Sequence, residues 1–92
     1  MKNYWEARAE LPKVKEIREA CLEILSPKTY KREVILNLLQ QHFRLTDAQM
    51  DLRQAQDTSK TRVVDGRLTH ALEHLVDAGS IKDEGRGYWR LV

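Results

Sequence analysis

An α+β, mostly helical domain, three main helices followed by a C-terminal β-hairpin, is the fold class this sequence predicts. Three observations carry the expectation. Two apolar stripes with three-and-four spacing run through residues 14–25 and 34–43. A third stripe, Val64, Leu68, Ala71, Leu72 and Leu75, halts at Gly79. Behind that glycine, DAGSIKDEGRGYWRLV (residues 77–92) reads as a short strand, a glycine-framed arginine turn and a second strand with two aromatics.

Taken in order, residues 1–10 (MKNYWEARAE) form a polar N-terminal extension. Its Tyr4 and Trp5 either pack back on the core or offer an apolar patch to a partner. A first helix is expected over 12–26, with Val14, Ile17, Cys21, Ile24 and Leu25 on one face. Pro12 suits its first turn, and Ser26-Pro27 stops it because proline cannot continue a helix. Lys28, Thr29 and Tyr30 suit a very short strand. A second helix over 31–43 turns Val34, Ile35, Leu38, Leu39 and Phe43 inward. Thr46-Asp47-Ala48-Gln49 matches a capping box and opens a short helix over 46–52. The polar run RQAQDTSK (53–60) reads as a loop. A third helix is then expected from Ser59 or Lys60 to Ala78, nominally 60–78, followed by a hairpin over 80–91. In that hairpin Ile81 faces Trp89 or Leu91, while Tyr88 and Arg90 point to the other side. Helix, short strand, helix, helix and hairpin is the order of a winged helix-turn-helix, one domain across residues 1–92. The third helix is the recognition helix, and the hairpin is the wing that extends its contact surface.

Composition limits what such a domain does. Ninety-two residues, 41% apolar and 33% charged, support one modest core. No apolar run nears the roughly 18 residues of a membrane span, and the N-terminus lacks a signal peptide's apolar stretch, so a membrane role is not expected. Cys21 is alone, fits a reducing cytoplasm and reads as a small buried helix residue. His70 and His74 stand four apart, but no further ligand has metal-site spacing. Nucleophile motifs, phosphate loops and paired carboxylates are missing from the sequence. Neither a metal, a cofactor nor catalysis is expected of this chain. A net charge of +2 and a pI near 8.8 do not announce nucleic-acid binding, so the placement of charges must carry that case.

The outward face of the third helix holds Ser59, Arg62, Gly66, Thr69, His70 and Glu73. Residues at the N-terminal end of a recognition helix meet base edges. Arg62 suits bidentate readout of guanine, while Ser59, Lys60 and Thr61 suit phosphates. Asp65 would have to face cytosine or pair with Arg62. Gly66 costs the helix about 1 kcal/mol relative to alanine. It either admits a ligand close to the backbone or is drift at an exposed position; with Thr69 it would leave room for a methylated base. Arg67, on the flank, contacts DNA or bridges to a carboxylate elsewhere in the domain. Arg86 at the wing tip suits a minor groove or a phosphate, assisted by Lys82 and Arg90 and diluted by Asp83 and Glu84. A solvated polar surface is the bland alternative for all of these.

The run Arg67-Leu-Thr-His-Ala71, then Leu75, Ala78-Gly79 and Arg86-Gly87-Tyr88-Trp89-Arg90-Leu91, resembles the N-terminal winged-helix domain of Mrr-type restriction endonucleases. Leu45-Thr46-Asp47 is similar to that family's link between its second and third helices. His70 stands where the family usually has tryptophan, Ser80 where it has leucine, and Val64 where it has an aromatic; the proline before the third helix is missing. The resemblance implies a module that binds double-stranded DNA, methylated or not, with cleavage left to a fused or partner nuclease domain. It implies an excised module or a small stand-alone protein, with a homodimer as a further association. A transcription regulator using the same surface is the first alternative, and a protein-association module the second.

Overall fold

A computed structural model describes residues 3–54 and 61–92. Its elements are α1 (Tyr4–Ala9), α2 (Val14–Ile24), β1 (Thr29–Lys31), α3 (Arg32–Phe43), α4 (Asp47–Met50), α5 (Val63–Asp77), β2 (Ile81–Gly85) and β3 (Tyr88–Leu91). The strands form one antiparallel sheet in the order β1-β3-β2. This is an α+β chain with the architecture of a winged helix: α2, α3 and α5 make the helical body, and β2-β3 make the wing.

Each boundary has a local cause. The Lys13 N–H donates to the Glu16 carboxylate at 3.0 Å, which closes the first turn of α2. Pro12 therefore lies ahead of that helix rather than inside it. At the other end Leu25 is already extended, and the Tyr30 hydroxyl accepts from the Ser26 N–H at 3.1 Å. Those hydrogen bonds from Ser26 also hold the Tyr30 phenol below its ordinary pKa. Helix α4 begins with a reciprocal capping box between Thr46 and Gln49, at 3.1 and 2.8 Å. Helix α5 ends in a Schellman pattern: Ser80 N–H donates to Leu75, Gly79 N–H donates to Val76, and Gly79 takes φ 76°.

The third long helix starts at Val63, later than the pattern predicts. Arg62 is extended (φ −71°, ψ 144°) because it pairs with Arg53 in a short antiparallel bridge. Gln54 N–H to Thr61 O (2.9 Å) and Val63 N–H to Leu52 O (2.8 Å) complete that pairing. Residues 53 and 54 are thus part of a small ladder, not only loop. Ser59 and Lys60 lie outside the described residues.

One core gathers Ile17, Ala20 and Cys21 of α2, Ile35, Leu36 and Leu39 of α3, and Val63, Val64, Leu68, Ala71, Leu72 and Leu75 of α5. Tyr30 and Ile81 close it from the sheet. Val34, expected inside, is 43% exposed; Leu36 is buried in its place. The inward arc of α3 passes through Ile35, Leu36 and Leu39, which leaves Val34 on the far side.

The N-terminal extension folds as α1, capped by the Asn3 side chain accepting from Glu6 N–H at 2.9 Å. The two aromatics part company there. Tyr4 donates its hydroxyl to the Arg53 carbonyl at 2.8 Å, whereas Trp5 stays 64% exposed, in a T-shaped contact with the Tyr4 ring.

Burial pushes the Cys21 thiol up to about 11 by desolvating its thiolate. Thiolate is the reactive form, so a shift from 9.0 to about 11 leaves roughly 100-fold less of it at pH 8. A chromogenic disulfide reagent should therefore label Cys21 promptly in denaturant and negligibly in the folded protein. Prompt labelling of the native state would place the thiol outside the core.

Candidate nucleic-acid interface

The N-terminal half of α5 is far less open than its sequence suggests. Asp65 sits between two arginines. Arg62 reaches its Oδ2 from both Nε and Nη2 at 2.8 Å, and Arg62 Nη1 lies 3.8 Å from Asp51. Arg32, from the start of α3, places Nε 3.3 Å from the other Asp65 oxygen. The same guanidinium donates to the Asp65 carbonyl at 2.6 Å and to the Thr69 hydroxyl at 2.7 Å. Arg32 also anchors the wing, since its backbone N–H donates to Gly87 O at 3.3 Å. Of the two roles open to Asp65, pairing with Arg62 is the one observed. Thr69 is exposed, yet its hydroxyl is already engaged by Arg32 and by its own i−4 carbonyl at 3.1 Å.

Gly66 has an intramolecular explanation. A Cβ built there would meet the Gln54 amide nitrogen at 3.3 Å and Thr61 Cγ2 at 3.9 Å. The space beside the glycine, expected for a ligand or a base methyl, holds the Gln54 side chain. Gln54 in turn accepts a hydrogen bond from Arg8 of α1. The N-terminal helix therefore reaches α5 through one glutamine.

Arg67 turns away from the outward face. Its Nη1 donates to the carbonyls of Leu11 and Pro12 at 3.2 and 3.1 Å, at the corner between α1 and α2. Within the domain its partner is backbone rather than the carboxylate expected. Desolvation, followed by the nearby charge of Arg8, holds its pKa below the ordinary guanidinium value.

Farther along α5 the exposed positions are Thr69, His70, Glu73, His74 and Asp77. His70 Nδ1 lies 3.8 Å from Glu73, a solvent-exposed contact. Between this ridge and the wing runs a groove of about 430 Å³ lined by the apolar Leu72, Val76 and Trp89, the acidic Glu73, Asp77 and Asp83, and Arg32 and Thr69. Among the described residues no group of three or more His, Cys, Asp or Glu side chains could hold a metal ion. No helix is long and apolar enough to cross a membrane.

The wing sorts its charges by face. Register places Tyr30, Trp89 and Asp83 in one cross-strand row, and the burial of Tyr30 identifies that side as the inner one. Successive residues alternate sides. Thr29, Arg90 and Lys82 therefore share an outer row, and Lys31 and Tyr88 share the next. Lys31 Nζ stands 5.8 Å from the centre of the Tyr88 ring. Arg86 occupies the tip with φ 57°, between Gly85 and Gly87 at 81° and 79°. Lys82 and Arg86 are thus both exposed, but Lys82 lies on the side of the sheet away from α5.

The positions sequence reasoning missed are Arg32, Lys31 and Gln54. Arg32 and Gln54 carry no local signal because their partners lie on other elements. Lys31 could have been found by extending the strand at 28–30 by one residue and pairing it with Tyr88.

Two stability outcomes follow. Arg67→Ala leaves two carbonyls without a donor and should destabilise the fold by about 1–3 kcal/mol in urea unfolding, while leaving the salt dependence of any DNA binding unchanged. Gly66→Ala restores helix propensity at the cost of moving only the tip of a flexible glutamine. It should be neutral to stabilising by up to about 1 kcal/mol. A clear loss of stability would mean that Gln54 cannot yield.

Neither a curated relative nor a solved structure matches the chain. One family model does, described as the Mrr N-terminal domain, over residues 15–92, from the first turn of α2 through the last wing strand. With most of its length matched, the chain belongs to the Mrr N-terminal domain family.

Proposed function

We propose that the chain is a DNA-binding winged-helix module, the target-recognition part of a restriction or modification-dependent nuclease system. It carries no catalysis itself, and cleavage belongs to a fused or partner domain. The supporting observation is a basic-tipped wing joined to a helix-turn-helix body across the whole family match. Phosphate contacts dominate DNA affinity and place the protein on the duplex, and exposed arginine and lysine on a wing supply them. Of the residues expected to touch DNA, Thr61 and Arg62 lie just ahead of α5, Gly66, Arg67, Thr69 and His70 lie on it, and Lys82 and Arg86 belong to the wing. Arg62 would have to release Asp65 to read a base; as placed, it orders the start of α5. Ser59 and Lys60 remain phosphate contacts in this proposal. A methylated site and a second copy of the chain are partners it admits. A transcription regulator would use the same surface. The acidic rim of the groove beside α5 favours one alternative, association with a basic protein segment.

Binding to a labelled duplex at several salt concentrations is the test. With about four phosphate contacts, log affinity should fall against log salt with a slope near −3.6. A folded sample with no measurable affinity at about 50 mM salt would turn the assignment to protein association.

A further inference from the structure

The outer face of the wing sheet gathers exposed charges of one sign. Lys31, Lys82 and Arg90 project from it and Arg86 tips it, all exposed, with Glu84 and Val92 at its border. None of the four cations makes an ion pair with a described carboxylate. The exposed ridge of α5 is the opposite case: Glu73 and Asp77 stand on it, Asp83 faces it across the groove, and the arginines nearby already hold Asp65.

Two features of the wing run against local stability. Lys82 lies directly opposite Arg90 in the β2-β3 register, and like charges facing across strands repel. Arg86 holds a left-handed conformation that glycine or asparagine adopts at lower cost. Positions that break local rules are expected at functional or strained sites. A polyanion relieves both repulsion and unpaired charge, and Tyr88 offers a flat ring in the middle of the face.

We propose that the phosphate backbone of a DNA duplex lies across this outer sheet face, on Lys31, Lys82, Arg86 and Arg90 around Tyr88, and not along the ridge of α5. This rests on the DNA-binding reading above and adds which surface does the binding. The sheet stands between that face and the groove lined by α5, so one straight duplex engages one surface or the other.

The experiment pairs affinity with thermal unfolding on the full chain, using a random-sequence duplex. Lys82→Glu turns a repulsive facing pair into an attractive one. It should weaken binding about tenfold while its unfolding midpoint stays level or rises. Lys82→Ala with Arg90→Ala should flatten the salt slope by about 1.8, two phosphate contacts' worth. Glu73→Lys, on the ridge, should change affinity less than about twofold, because a duplex on the far face is screened from it. Should wild type bind but Glu73→Lys tighten binding about tenfold, with the wing variants unchanged, the duplex lies on α5 and the inference fails alone. Failure of folded wild type to bind any duplex overturns the inference together with the DNA-binding reading. Loss of affinity in Lys82→Glu accompanied by a lowered midpoint would assign the residue a structural role and also overturn it.

Discussion

Arg32 is the joint on which the placement of every functional element depends. Its backbone N–H holds Gly87 of the wing, and its guanidinium holds the first turns of α5 through the Asp65 carbonyl, the Asp65 carboxylate and the Thr69 hydroxyl. Because Arg32 is itself the first residue of α3, one residue ties both helices of the helix-turn-helix to the hairpin, through its backbone on one side and its side chain on the other. Charged hydrogen bonds to partly buried acceptors contribute about 1.5–3 kcal/mol each, more than an exposed surface pair does. From the sheet Tyr30 and Ile81 are buried and Trp89 and Leu91 pack half-buried against the core, so Arg32 adds a polar tie to an apolar one.

That joint has an electrostatic consequence. It engages Arg32 and Arg62 with Asp65, a carboxylate in the first turn of α5, where a helix N-terminus favours an anion. Arg67 is withdrawn to backbone carbonyls at the α1-α2 corner. A formal charge of +2 therefore conceals an uneven surface. Arg32, Arg62 and Arg67 are half-buried and engaged within the fold, while the basic residues of the sheet's outer face have no described carboxylate to answer them.

The legible parts of this chain were those whose cause is local. The α5 stripe, the stop at Gly79 and the alternation of Trp89 and Leu91 against Tyr88 and Arg90 all follow from sequence spacing alone. The capping box at Thr46 is equally local. Val34 and Leu36 could not be told apart this way, because neighbouring helices choose which arc of α3 is covered. The helix at residues 4–9 did leave a sign: Asn3 followed three residues later by Glu6 is a cap of the kind found at Thr46. The site was less readable. Arg32 to Asp65 spans 33 positions and Arg67 to Leu11 spans 56, and nothing in a linear pattern marks an arginine whose partner is distant or a bare carbonyl. Gly66 looked like an opening for a ligand because Gln54 is brought to it only by the Arg53–Arg62 bridge.

This bridge also explains why α1 matters to a domain whose family match begins only at residue 15. Tyr4 holds the carbonyl of Arg53 and Arg8 holds the side chain of Gln54, so the short helix clamps the strand-like segment that covers Gly66. Arg8 also lies close enough to Arg67 to lower its pKa, which places the two cations on the same corner. A like-charged pair is tolerable there because each guanidinium has its own acceptors: Gln54 and the Tyr4 hydroxyl for one, Leu11 and Pro12 for the other. The extension thus closes over the flank of α5 opposite the wing. What it leaves exposed of the helix is the ridge through Glu73 and Asp77, so the acidic side chains line the groove beside α5 while Lys31, Lys82 and Arg90 stand on the outer face of the sheet.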